Sequence, residues 1–580
     1  MRYPHVEAGI EVGEPASNAD GKGRKVASRG LLGLACIIVI LGAGQMLHGA
    51  VSTGYTWDEH THVQRLQNWF DSGWYLPNWE MDDVAEPAQH PTQRQSVYGP
   101  SFALIAHGLN VMVGHEAFGE LASTAEANDV RHLTVSLLGL VTAVAVGAIG
   151  WLLTRSAIAA AWSTAALLSL PRWVGHSMFN PKDIPVAAGY TLATLALVIG
   201  VAAWTRGQSR FGTGVLAGLS MFAGVVIGVG TRTGMWVLLA LSVVSYGLLR
   251  LVQAWRRRVP RLLREDVGIL AGGLVGLACV FLLSPRVART PFWWFYRSIR
   301  GSSDFQHSGS TLTAGQLLET TPPWWYLPAW IGATTPLLIG IVIVAGMTAI
   351  VARVVSRVPG EPPNDTTDHR PFNRAEFGWL LVMQQALLGP TAAIVLQAAI
   401  YNGLRQHIYV LPALAALSGY GAWWLLGRAG SRSKAAVIGT VTVLAVALAA
   451  PTIDQLRLHP FQYVYVNEIA GPVDGRWTGD YWLVAAREAI QRIPAEEEVR
   501  CGWRRGGCYR GVGPYSVEQG THPTEANIHA NEIWFIGRTA NRHRVPDGCR
   551  EVDNVTRPLR SHEVTIAYVL ACSQEFDESS

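Results

Sequence analysis

The chain has 580 residues, of which 49% are hydrophobic and 15% charged, and its formal net charge is +4. Soluble domains carry about 25% charged residues, whereas the apolar residues here fall in repeated blocks of about 20, the length that crosses a bilayer core. Intrinsic disorder, a disulfide-dense mini-protein and a nucleic-acid binder are excluded, leaving an α-helical polytopic membrane protein.

Residues 1–30 are polar and end in Lys22, Arg24, Lys25 and Arg29. They read as a cytoplasmic tail. Leu31–Ala50 has no formal charge and is too long for a signal-peptide core, so it is the first span. Further apolar blocks at 132–153, 157–175, 185–204, 213–230, 235–254, 266–285, 326–350, 376–399, 408–427 and 435–451 bring the expected total to eleven. Basic residues gather between Arg250 and Arg264 and at Arg428, Arg432 and Lys434, on the segments this layout keeps in the cytoplasm. The layout gives a transmembrane domain over 31–451, with an outer loop at 51–131. An odd number of spans then sets 452–580 outside as a small α/β or mixed domain.

Within the first outer loop, Trp57-Asp58-Glu59-His60 precedes a stretch with Val63, Leu66, Trp69 and Phe70 on one helical face, which predicts an interfacial helix. Arg94 and Tyr98 follow. The next short outer loop, His176 to Pro185, holds Asn180, Lys182 and Asp183 between helix-breaking Pro181 and Pro185. Asp183 is either a helix cap or a second acidic site. Arg232 lies at the outer turn between the fifth and sixth spans, and Arg405 and His407 at the outer start of the tenth. Single arginines there would be snorkelling anchors; several beside two acidic loops suit a phosphate. No Asp or Glu falls at a mid-span position, which argues against an ion-coupled transporter.

Gly301–Thr321 and Pro359–Pro371 read as linkers. The aromatics at 291–296 and 322–326 suit an interfacial belt or a sugar-stacking surface. In the tail, Phe461–Val466 is a strand or a surface segment, and His459, Tyr463 and Asn467 are candidate cleft residues. Cys36 and Cys279 lie in spans. Cys501, Cys508, Cys549 and Cys572 lie in the tail, in the compartment that permits disulfides; the expected pairs are Cys501–Cys508 and Cys549–Cys572.

The outer Asp58-Glu59, the surface helix, the Asn180-to-Pro185 loop, the Arg405/His407 turn before Val410, and the tail block from Leu458 through Arg476 and Asp480 to Trp482 together resemble the C-type membrane glycosyltransferase superfamily (GT-C). The branch they resemble is family 39, the protein O-mannosyltransferases and lipid A aminoarabinose transferases, including bacterial members. Tyr98-Gly99-Pro100 departs from the His-Pro-Pro-like stretch of many relatives. The resemblance implies an enzyme of a bacterial plasma membrane that moves a sugar from a polyprenyl-phosphate donor to a glycan, lipid or protein hydroxyl, outside the cytoplasm and with inversion. Asp58 would be the base, Glu59 its helper and Asp183 a second carboxylate. Arg232, Arg405, His407 and, less centrally, Arg94 would hold the donor phosphate, and Tyr98, Asn180 and Lys182 would line the cleft. A divalent cation (Mg or Mn) on Asp58, Glu59 and Asp183 stays open. The competing classes are a transporter or lipid flippase and a non-catalytic membrane scaffold.

Overall fold

The computed structural model describes residues 18–81, 97–206, 209–257, 262–286, 289–303, 309–355, 375–493, 499–501, 532–539, 545 and 547–573. Among them are ten helices long and apolar enough to cross a membrane: Arg29–Ala50, Ala125–Thr154, Asp183–Arg206, Phe211–Val229, Thr233–Val252, Arg264–Leu282, Leu337–Val355, Glu376–Val395, Val410–Gly430 and Lys434–Leu458. The protein is an integral, multi-pass membrane protein.

Prolines set where two expected blocks break. The block at 157–175 is present as two short helices, Ala157–Leu168 and Pro171–His176, because Pro171 has no N–H to continue the ladder and instead opens the second helix. The block at 326–350 divides at Pro336 into Tyr326–Thr334 and Leu337–Val355. Asp183–Arg206 is the most enclosed of the ten long helices. Small residues let its neighbour approach: a Cβ on Gly189 would lie 2.5 Å from the Gly228 backbone. That neighbour passes through a π-helical turn, Val225–Val229, just before Arg232, a distortion often found at functional sites.

Two segments behave differently from their sequence expectation. Gly301–Thr321 is not a linker throughout. Helix Pro291–Ser303 enters it, and strands β1 (Thr311–Thr313) and β2 (Gln316–Leu318) form a hairpin. Ala314 and Gly315 take positive φ at its turn, which glycine supplies without steric cost. The backbone of β1 is held by Thr478 N–H donating to Leu312 O at 2.9 Å. The expected boundary at 451/452 falls inside helix Lys434–Leu458, which continues through Pro451. After it, 459–493 is largely buried against the helices and has only the turn Gln462–Val464 and the short helix Ala486–Ile490 as regular structure. Its turn Gln462–Val464 packs on Pro171–His176 so closely that a Cβ on Gly175 would meet the Tyr463 backbone at 2.3 Å.

The tail closes with strands β3 (Val499–Cys501), β4 (Glu532–Arg538), β5 (Cys549–Leu559) and β6 (His562–Ser573), in the order β3-β4-β6-β5. β3 runs parallel to β4, and the other pairs are antiparallel. Cys549 and Cys572 face each other across β5 and β6 and form a disulfide. The expected Cys501–Cys508 pair lies outside the described residues. Arg560 ties the sheet to the bundle, donating to Val466 O at 2.6 Å and to Asp454 at 3.3 Å.

Candidate active site

The loops that the sequence singles out meet at one end of the bundle. Helix Trp57–Ser72 starts there, and its two acidic residues diverge because successive positions turn about 100° round a helix. Asp58 points to Lys182, with which it forms an ion pair, and to Arg405, 3.6 Å away. Glu59 turns the other way. It accepts from the Thr56 N–H at 2.5 Å and lies 2.7 Å from His132 Nε2, while His132 Nδ1 donates to Ala50 O at 2.9 Å. Glu59 thus caps its own helix and pins the 50–59 turn to helix Ala125–Thr154, instead of sharing Asp58's cleft.

Asp183 opens the central helix and is fixed from two directions. Asn180 Nδ2 donates to it at 3.0 Å, and the Asp183 N–H donates back to Asn180 Oδ1 at 3.0 Å. Arg232 donates to its other oxygen at 3.2 Å. Arg232 also pairs through its backbone with Tyr98. A Cβ on the next residue, Gly99, would lie 2.4 Å from Gly230 O, so glycine is required for this approach. Aromatic faces hold the cations. The Arg405 guanidinium lies 4.6 Å from the Trp482 ring and 5.0 Å from Tyr401, and Lys182 Nζ lies 5.4 Å from Trp482 and 5.9 Å from Tyr98.

Five side chains therefore converge, two carboxylates (Asp58, Asp183) against three cations (Lys182, Arg232, Arg405), and Arg65, 4.5 Å from the Tyr98 ring, adds a further cation at their edge, so positive charge is in excess. Burial would raise the Asp58 carboxyl, but Lys182 and Arg405 outweigh it and hold it well below the usual carboxylate range. Burial pulls Lys182 below the ordinary lysine value despite Asp58. His407 is buried, its Nδ1 has no hydrogen-bond partner, and burial with the help of Arg232 brings it down to about 3. A small pocket opens beside the cluster, lined by His62, Tyr98, Val63, Leu66, Phe102 and Ala106, with Glu59 and His132 also on its wall.

The remaining candidates separate. Tyr463 packs edge-on against Phe179, at 5.2 Å, within the aromatic wall behind Asn180. His459 does not reach the cluster and meets His48 at 2.8 Å and Gln462 at 3.0 Å. Asn467 also stands apart, bonded to the carbonyls of Gly332 and Thr335. Arg94 lies outside the described residues. Sequence reasoning missed the anchoring role of His132 and the aromatic seats of Arg405.

The donor set does not suit a divalent ion. Asp58 and Asp183 are each engaged by fixed cations, Glu59 faces His132, and no group of three metal-ligating side chains occurs among the described residues.

The acid–cation pairing fixes a pH response. Lys182→Met removes a charge that lowers Asp58, so Asp58 then protonates at higher pH. The acid limb of any activity that needs ionised Asp58 is expected to move upward by about 1–3 pH units; a rate–pH profile checks this.

No family model matches the chain, and no curated protein sequence matches it. Among solved structures, ArnT from Cupriavidus metallidurans bound to undecaprenyl phosphate aligns over 94% of this chain and 98% of its own, at 15% identity and a TM-score of 0.47. The apo form of the same protein aligns over 93% and 98%, at 14% identity and a TM-score of 0.45. The archaeal oligosaccharyltransferase AglB from Archaeoglobus fulgidus, in complex with an inhibitory peptide and a dolichol-phosphate, aligns over 86% of this chain and 65% of its own, at 12% identity and a TM-score of 0.44.

Proposed function

We propose that the protein is a membrane glycosyltransferase that takes a sugar from a polyprenyl-phosphate donor and passes it, with inversion, to an acceptor hydroxyl on the non-cytoplasmic side. The observation that carries this reading is the cluster of two carboxylates and three cations at one end of an apolar bundle. The excess of positive charge suits a lipid-borne phosphate. The ten long helices among the described residues, against the eleven expected, no longer fix the side of the tail by parity; the Cys549–Cys572 disulfide supports the non-cytoplasmic side, because such bonds persist in oxidising compartments. The carboxylates of the long apolar helices all lie near helix ends (Glu126, Asp129, Asp183, Glu265, Asp266, Glu376, Asp454), which disfavours ion-coupled transport.

The chemistry follows from charge exchange. In the free site Lys182 and Arg405 neutralise Asp58 and make it a weak base. A donor phosphate entering the cluster draws both cations toward its own oxygens, and Asp58 gains basicity as they turn. Asp58 then takes the proton of the acceptor hydroxyl, and the acceptor oxygen attacks the anomeric carbon. The bond from that carbon to the phosphate oxygen breaks, and its electron pair leaves on the phosphate, where Arg405, Lys182 and Arg232 stabilise it. Asp183 keeps Arg232 in place. The apolar pocket beside His62 and Tyr98 receives the first part of the lipid chain.

Native mass spectrometry of the purified protein with undecaprenyl phosphate and with neutral undecaprenol tests the reading. Retention of the phosphate alone, weakened when Arg405 is replaced, is expected; equal retention of both lipids, unaffected by Arg405, would remove the basis for a phosphate-linked donor.

A further inference from the structure

Arg172 lies outside the machinery described so far. It is 1% exposed, and none of its guanidinium nitrogens has a hydrogen-bond partner. The group lies 4.8 Å from the Trp330 ring, and that indole is held in turn by Thr313 at 3.1 Å and by the edge of Trp477. The ionisable groups around Arg172 are the phenols Tyr481, Tyr463 and Tyr326, together with His176. The buried carboxylate adjoining Tyr463, Asp480, is engaged elsewhere, accepting from the N–H groups of Trp482 and Ala485.

A guanidinium offers five N–H donors in a flat fork. Burying it without acceptors costs more than one ring face returns, so the fold keeps Arg172 at the expense of its own stability. Such a retained cost marks a group kept for a ligand. Packed side chains link Arg172 to the Asp58 cluster: the Tyr481 ring is 5.7 Å from the Arg405 guanidinium, and His176 lies in the field of both arginines.

We propose that Arg172 is a second oxyanion-binding site, which receives a negatively charged group on the head of the donor beyond the phosphate held by Lys182 and Arg405. Its fork suits two oxygens of a carboxylate or phosphate. The proposal deepens the glycosyltransferase reading and rests on it for the first phosphate. The second oxyanion belongs either to an acidic sugar or to a diphosphate linkage.

The test compares full-length wild type with Arg172→Met and Arg172→Gln in detergent, by binding of undecaprenyl phosphate, undecaprenyl diphosphate, free pyrophosphate and free glucuronate. Loss of about tenfold or more in affinity for the diphosphate and pyrophosphate, with undecaprenyl phosphate little changed, supports the site and names a second phosphate as its ligand. The same loss confined to glucuronate supports it and names a sugar carboxylate. Unchanged binding of all four probes by a folded Arg172 variant overturns the proposal, as does a wild type that binds none of the three oxyanion probes besides undecaprenyl phosphate. A wild type that ignores undecaprenyl phosphate yet needs Arg172 for pyrophosphate or glucuronate would sink the donor reading while sustaining the anion site. Thermal unfolding of the apo variants adds a second readout: removing an uncompensated buried charge raises Tm, whereas an arginine that serves only as packing for Trp330 gives a lower Tm.

Discussion

Asp58→Asn is expected to lower sugar transfer by about 10²–10⁴-fold, the usual contribution of a general base, while the bundle stays folded. Asparagine keeps the shape of the side chain and cannot accept the acceptor's proton. The start of helix Trp57–Ser72 does not depend on Asp58, because Glu59 makes the bond to Thr56 and the anchor to His132. Asp58 is also the less enclosed partner of its ion pair, with a side chain 20% exposed against 7% for Lys182, so loss of its charge falls on the cleft and not on the core. Turnover measured beside an unfolding curve separates the two effects. Near-wild-type turnover would move the base to another residue, with Asp183 the next carboxylate in reach.

Arg405→Ala is expected to cost about 10²–10³-fold in kcat/KM, the scale of one preorganised donor to developing charge, with a raised KM for the lipid donor. Arg405 is held against Trp482 and Tyr401 and reaches Asp58 from a short turn before helix Val410–Gly430. A flexible lysine does not reproduce its flat fork, so Arg405→Lys is expected to recover only part of the loss. Kinetics against donor concentration check this; an unchanged KM with full turnover would show that Arg405 does not meet the phosphate.

The helix blocks were legible in the sequence because apolar runs of spanning length are the strongest signal a membrane chain carries. Their interruptions were marked by Pro171 and Pro336 but were absorbed into continuous blocks. Asp58, Asp183, Arg232 and Arg405 could be singled out because each stands beside the end of an apolar run. Their pairing could not: Lys182 and Asp58 are 124 positions apart, and no spacing rule joins two loops through a folded bundle. Glu59 shows the opposite error, since adjacency in sequence suggested a shared site where helical rotation separates the two carboxylates. The Gly, Ser and Thr content of 301–321 suggested a linker, yet the same residue types make the tight turn of the β1–β2 hairpin. Arg172 lies within the expected 157–175 block and was not singled out, because nothing in the sequence shows that its guanidinium is buried without acceptors.

Mass spectrometry of lipid-linked sugars, in cells whose only copy of the protein carries Asp58→Asn, tests the convergence of carboxylates and cations on a lipid phosphate most directly. One polyprenyl-phosphate sugar is expected to accumulate, together with loss of a single glycan product. A lipid-sugar pool identical to that of wild-type cells would contradict the account.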